Sequence, residues 1–130
     1  MIPTGNSIIG IGTDLVDISR IKYIVERHKD RFLNKVFTQA ERDHCMSLGA
    51  PWPSLAARFA AKEAVSKAFG TGIGAELELS SIGVVTDERG APSIVLDEKG
   101  EKLLRERGGS RVLISLTHTA SLAQAFAVIQ

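Results

Sequence analysis

Arg58-Phe59-Ala60-Ala61-Lys62-Glu63-Ala64-Val65-Ser66-Lys67-Ala68-Phe69-Gly70 reads as one helix with two unlike faces. At about 100° per residue, Phe59, Glu63, Ser66 and Lys67 fall within roughly a 100° sector, with Lys62 on its edge. Ala57, Ala61, Ala64 and Ala68 fall on the other side. Such a seam of small residues predicts close packing against a neighbour. The polar face carries a carboxylate, a hydroxyl and ammonium groups that no core requires. That combination suits a metal ion and a phosphate.

Working outward, Ser7-Ile8-Ile9-Gly10-Ile11-Gly12-Thr13-Asp14 predicts a strand with Ile8, Gly10, Gly12 and Asp14 on one face. Two glycines there permit something to come close to the backbone, and Asp14 stands at the exit. An amphipathic helix is expected over 16–33, with Ile18, Ile21, Val25 and Phe32 as its apolar stripe. Arg20, Arg27 and Arg31 lie opposite, within roughly a 40° sector if the helix is unbroken. Thr38-Gln39-Ala40-Glu41 has capping-box spacing and opens a short helix to about Leu48. Pro51 and Pro53 precede the long helix, with Ser54 as its expected cap, and Gly70, Gly72 and Gly74 end it.

Beyond the glycines, 81–85 and 93–96 predict a hairpin around Asp87-Glu88-Arg89-Gly90-Ala91-Pro92. A helix over 97–107 closes at Gly108-Gly109. Arg111 to His118 alternates as a strand, placing Val112, Ile114, Leu116 and His118 on one face. Leu122 to Ile129 returns as its partner after a turn at Thr119-Ala120-Ser121. The pattern predicts a single α+β domain over 1–130, a largely antiparallel sheet packed on the long helix. It shows no repeat, linker or low-complexity segment.

Composition narrows the class. The chain has 130 residues, 44% of them hydrophobic, the size of one domain with a core. Sixteen basic residues against fifteen acidic ones give no global field for nucleic acid or an anionic membrane. Cys45 is the only cysteine, which excludes a disulfide framework and a thiolate metal cluster. His44 stands beside it, but adjacent helical positions do not face each other, so a structural thiol is the reading. Neither a basic, apolar leader nor a membrane-length apolar run is visible, so a soluble cytoplasmic protein is expected.

Each candidate group has two readings. Asp14 and Glu63 form the minimal carboxylate pair for a hard divalent cation, which takes its other ligands from water and substrate phosphates. Alternatively, Glu63 pairs with Lys67 four residues on, and Asp14 caps the next helix. Lys62, Ser66 and Lys67 can hold phosphate oxygens or stand solvated. His118, at a strand end beside threonines and a serine, is either a hydrogen-bonded structural histidine or an edge of a ligand site. Gly70-Thr71-Gly72-Ile73-Gly74 follows a helix instead of opening one, so it is not a nucleotide-fold phosphate loop. Between Arg20 and Lys35 six Lys or Arg face two acids, a solvated face or a landing site for an acidic protein.

Together, the pieces resemble the 4′-phosphopantetheinyl transferases. Ile9-Gly10-Ile11-Gly12-Thr13-Asp14 followed by Phe59-Ala60-Ala61-Lys62-Glu63-Ala64-Val65-Ser66-Lys67 is similar to the family's paired signature. Arg58 before it, Ala68-Phe69-Gly70-Thr71-Gly72 after it and the late Ser115-Leu116-Thr117-His118-Thr119 resemble its short type. The likeness runs from about Ile8 to Ile129 and leaves 1–7 as a short N-terminal extension. It implies Mg2+-dependent transfer of 4′-phosphopantetheine from coenzyme A to a serine of apo acyl carrier protein, releasing adenosine 3′,5′-bisphosphate, in fatty acid biosynthesis. Asp14 and Glu63 match the metal-ligand positions, and Lys67 the lysine on the phosphate under attack. Lys62, Ser66, Gly70, His118 and Thr119 would line the coenzyme A site. Arg20 and Arg31, with Arg27 on the same face, would receive the carrier protein's acidic helix. The short type implies a homotrimer with sites between subunits. A different Mg2+-dependent enzyme, such as a coenzyme A hydrolase, and a non-catalytic module that binds an acidic protein are the competing readings.

Overall fold

The chain runs β1 (Gly10–Asp17), α1 (Ile18–His28), α2 (Asp30–Val36), α3 (Gln39–Met46), α4 (Trp52–Phe69), β2 (Ile82–Thr86), β3 (Pro92–Leu96), α5 (Glu98–Glu106), β4 (Val112–His118) and β5 (Leu122–Ile129) in the computed structural model, which describes residues 7–130. Of the expected N-terminal extension, 1–6 lie outside the described residues. Antiparallel pairing sets three strands in the order β1-β5-β4, and β2 and β3 form a separate hairpin. The class is α+β, as the sequence predicts.

The alanine seam finds its neighbour in this sheet. Gly10, Gly12, Asp14 and Val16 share the inner face with Ala123, Ala125, Ala127 and Ile129 of β5. With almost nothing beyond Cβ on either side, α4 lies nearly backbone to backbone on β1. A Cβ built on Gly10 would sit 2.0 Å from the Ala68 carbonyl oxygen, and one on Gly12 would sit 2.0 Å from that of Ala64. What comes close to the two glycines is therefore the long helix itself. The core continues on the far side of α4 through Leu55, Val65, Phe69, Leu77, Ile82 and Phe37.

Three local expectations are corrected. The helix expected over 16–33 breaks at Lys29, whose backbone sits at φ 49°, ψ −130°. The stripe of Ile18, Ile21 and Val25 meets only His28 and Lys29 on its next turn, and burial resumes at Leu33 and Val36 from a re-aimed helix. Arg31 thus belongs to α2, and the shared sector with Arg20 and Arg27 is not formed. Second, β1 pairs with β5 as far as Asp17 opposite Leu122, so Asp14 stands in mid-strand and not at the exit. Third, Ser54 does not cap α4. The helix begins at Trp52 with Pro53 in its first turn, where a missing N–H costs nothing, and the Ser54 hydroxyl accepts from Arg58 Nη1 at 2.6 Å. The capping box of α3 forms as expected: Thr38 Oγ1 accepts from the Glu41 amide at 3.2 Å.

Lys29 generates a test. A side chain at this positive φ carries a steric cost that glycine avoids. Lys29→Gly should stabilise the fold by about 1 kcal/mol or less, after the glycine's greater unfolded-state entropy is subtracted. Urea unfolding midpoints compare the two directly, and a clear loss of stability would contradict the strain.

Candidate active site

Asp14 points from the middle of β1 toward α4, at the level where the helix presents Glu63 and Lys67. The Lys67 ammonium donates to Asp14 Oδ1 at 2.9 Å and to the Thr13 carbonyl at 2.9 Å. This is a bond between the sequence's two separated motifs, spanning 53 residues. Lys67 remains 53% exposed at its side chain while Asp14 is 17% exposed, so the pair sits at the lip of the helix–sheet junction. Ile11, Gly12, Thr13, Lys67 and Phe126 line a shallow depression of about 380 Å³ beside it.

Glu63 is the electrostatically stressed member. Partial burial pushes its carboxyl above the usual glutamate range, and the neighbouring Asp14 pushes the same way. Lys67 and then Arg20 pull it back. Strand β1, helix α1 and helix α4 thus each contribute a charged group to one field. The Glu63–Lys67 pair expected from their spacing is not formed as a salt bridge, because the ammonium is taken by Asp14.

Two carboxylates held near each other by facing elements are oxygen donors suited to a hard divalent cation. No cluster of three or more metal-binding side chains occurs among the described residues. The donor set therefore fits an ion that takes one or two protein carboxylates and completes its shell from water and substrate phosphates. It does not fit an ion caged by protein alone.

The remaining candidates divide. Lys62 is wholly buried, its Nζ donating to Glu41 Oε1 at 2.7 Å, to the Leu79 carbonyl at 3.2 Å and to the Ile82 carbonyl. Ser66 is buried too, its hydroxyl donating 2.7 Å to the Glu63 carbonyl of its own helix. Both were expected to line a substrate site, and both are instead enclosed by their own chain. Gly70 ends α4 at φ 78° with open space around it. His118 is exposed at the end of β4, with Nδ1 3.3 Å from the Thr119 carbonyl. Thr119 Oγ1 accepts from the Ser121 and Leu122 amides and so shapes the turn. His118 stands two strands across from Val16, through Ala123 of β5, or roughly 10 Å at ordinary strand spacing. It is therefore not part of the Asp14 cluster of its own chain. On the basic face, the charge of Arg20 acts on Glu63, Arg27 donates to the Tyr23 hydroxyl at 3.1 Å, and Arg31 lies past the break at Lys29.

Glu41 is the residue that sequence reading missed. Its capping-box role accounts for one oxygen, Oε1, which accepts from the Thr38 amide at 2.9 Å. The same oxygen also accepts from Lys62, and Oε2 accepts from the Val84 amide at 2.9 Å. The available signal was Lys62 itself, since a lysine on a helix lined by alanines needs a buried acid.

The fold and this site define the class. The sequence model of the 4′-phosphopantetheinyl transferase superfamily matches residues 10–126, and the chain belongs to that superfamily. It is 46% identical to the holo-[acyl-carrier-protein] synthase of Chlamydia caviae over 118 residues, which cover 91% of this chain and 93% of that one. Among solved structures it is similar to holo-[acyl-carrier-protein] synthase of Neisseria meningitidis, at 36% identity and a TM-score of 0.89, covering 95% of this chain and 99% of that one. The Helicobacter pylori enzyme of the same name, solved in complex with coenzyme A, matches at 33% identity and a TM-score of 0.82, covering 92% and 99%. No helix among the described residues is long and apolar enough to cross a membrane.

A carboxyl whose pKa is higher in the fold than in the unfolded chain is easier to keep protonated when folded. Its contribution to stability is present below the unfolded value of 4.5 and is lost as pH rises through the raised native one. Glu63→Gln should therefore melt slightly higher than the parent at pH 7 to 8, without added metal, and the gap should close below about pH 4. Thermal melts across that range check it; a variant that melts lower at neutral pH would contradict the strain at Glu63.

Proposed function

We propose that this chain is a Mg2+-dependent transferase that moves 4′-phosphopantetheine from coenzyme A to a serine of apo acyl carrier protein, releasing adenosine 3′,5′-bisphosphate. The carrier protein is that of fatty acid biosynthesis, the compartment is the cytoplasm, and residues 1–130 act as one domain. The observation that carries the reading is the Lys67–Asp14 salt bridge at 2.9 Å across the β1–α4 junction, with the Asp14 charge acting on Glu63 beside it. The names of the relatives and the coenzyme A held by one of them support it.

Asp14 and Glu63 would hold the divalent cation. When bound, the ion supplies charge neutralisation at the pyrophosphate of coenzyme A, the main requirement of phosphoryl-type transfer. Lys67, half exposed and tethered only at its tip, can leave Asp14 and donate to an oxygen of the phosphate under attack. Glu63, a partly buried carboxylate of the same cluster, is the group we assign to take the proton of the acceptor serine, directly or through one water. Gly70, His118 and Thr119 present open surface for the substrate. Arg20, whose charge acts on Glu63, would with Arg27 and Arg31 steer the acidic helix of the carrier protein to the reacting phosphate.

The outer face of the three-stranded sheet supports a homotrimer. Ile11 is 61% exposed, Leu15 59%, Phe126 47% and Leu113 43%, all on the side away from α4. Contiguous apolar surface of this kind marks an interaction face. Packing copies through it would bring a neighbour's surface beside the depression at Phe126 and Lys67. The distance of His118 from its own Asp14 is consistent with service in a site shared between subunits.

One assay tests the chemistry. Purified chain, apo acyl carrier protein, coenzyme A and Mg2+ should yield a carrier heavier by one phosphopantetheine in intact mass spectrometry. Release of adenosine bisphosphate with no mass gain would point to a hydrolase. For the assembly, Phe126→Glu should convert a trimer to a monomer in light scattering coupled to size exclusion, with transfer lost. A parent that runs as a monomer would remove the trimer.

A further inference from the structure

We infer that Glu41 is a positioning residue: through Lys62 it pins the axial setting of α4, and with it the placement of Glu63 against Asp14. The inference rests on the transferase reading above and concerns how that site keeps its geometry.

The need for a pin follows from the seam. On the sheet side α4 presents Ala57, Ala60, Ala61, Ala64 and Ala68, and the sheet answers with Gly10, Gly12, Ala123, Ala125 and Ala127. Surfaces this small bring helix and sheet close together, yet they lack the ridges that hold a helix in register along its axis. Buried Arg58 and Ser66 bond within α4, to Ser54 and to the Glu63 carbonyl, whereas the bonds of buried Lys62 leave the helix. Its three N–H groups go to Glu41 Oε1, the Leu79 carbonyl and the Ile82 carbonyl. Three acceptors require the ammonium form. Burial drives its pKa down, and the Glu41 carboxylate acts against that.

Glu41 spreads the tie. Its carboxylate receives the Thr38 amide at the start of α3 and the Val84 amide in β2 as well as Lys62. One buried group therefore joins α3, the middle of α4 and β2. Glu63 is the next residue after Lys62, about 1.5 Å further along the axis and about 100° around it. A shift of Lys62 moves Glu63 with it, as part of the same rigid turn. Enclosed ion pairs add little net stability over apolar residues of similar volume. What this one adds is direction, at the helix that carries two members of the site.

The test separates geometry from stability. Glu41→Gln combined with Lys62→Met strands no charge and keeps both shapes, at the cost of the Lys62 bonds to the Leu79 and Ile82 carbonyls and of one of the two amide bonds to Glu41. The double variant should melt lower than the parent and is assayed well below its own melting point, where it is folded. Its kcat for transfer should fall about tenfold or more, because misplacement by an ångström is costly at a reacting centre. KM for the carrier protein should stay within about twofold, since no hydrogen bond of the pair reaches Arg20, Arg27 or Arg31. If the double variant does not fold, Glu41→Gln alone, assayed well below its melting point, carries the same expectation. A folded variant with the parent's kcat overturns the inference, as does a loss confined to stability. A parent chain that transfers nothing overturns the transferase reading and this inference with it.

Discussion

The structure depends on the contact between the alanine face of α4 and the glycines of β1. Gly10 and Gly12 face the carbonyl oxygens of Ala68 and Ala64, where a methyl group would stand 2.0 Å away. No rotamer change relieves that, because the obstacle is helix backbone. The closeness has a chemical consequence. Only with the helix nearly touching the strand can an aspartate two residues beyond Gly12 and a lysine three beyond Ala64 meet at 2.9 Å. The small residues that look like mere packing are the reason a two-element site exists.

That site is held in tension. Glu63 is partly buried near a second carboxylate, an arrangement that disfavours its charge and that a stability optimum would avoid. Lys67 relieves the stress from one side and Arg20 from another, but the salt bridge of Lys67 goes to Asp14 and not to Glu63. Burial and the Asp14 charge together favour added positive charge near Glu63. A divalent cation fits on grounds of charge as well as donor type, and in the proposed reaction Lys67 is then released toward phosphate. The buried pair of Glu41 and Lys62 contrasts with this. All three lysine protons are used and both carboxylate oxygens are occupied, as befits a support and not a reactant.

Much of this was legible in the chain. The glycines of β1 and the alanines of α4 announce a close approach by themselves, and strand alternation correctly places Gly10, Gly12 and Asp14 on one face. The hairpin, the capping box at Thr38 and the terminal pair of strands follow from local turn and cap chemistry, which acts over a few residues. What escaped depended on other parts of the fold. A helical projection gives the angle at which Lys62 and Ser66 leave the axis, but not what stands there. For Lys62 it was β2 and Glu41, and for Ser66 the preceding turn of its own helix. The break at Lys29 was half visible, since the apolar stripe lapses at His28 and Lys29. Its cost in backbone strain was not, because it depends on Leu33 and Val36 being drawn into the core from a new angle.

A three-stranded sheet has two faces, and one helix layer can cover only one of them. In this chain the inner face is glycine and alanine where α4 comes closest, at Gly10, Gly12, Ala123, Ala125 and Ala127, so the helix buries modest side-chain area there and takes much of its apolar burial from its far side. The outer face carries large apolar residues too, Ile11, Leu15, Leu113 and Phe126, and no other described residue buries them. Leaving such residues in water forgoes about 25 cal/mol for each Å² of apolar area that burial would remove. The depression beside Lys67 is lined by Ile11 and Phe126 from that outer face, so the bare surface and the reactive lysine share a border. In the proposed trimer, covering the sheet and completing the substrate cleft are accordingly one event. The side chains that would drive association stand next to the lysine that it would enclose.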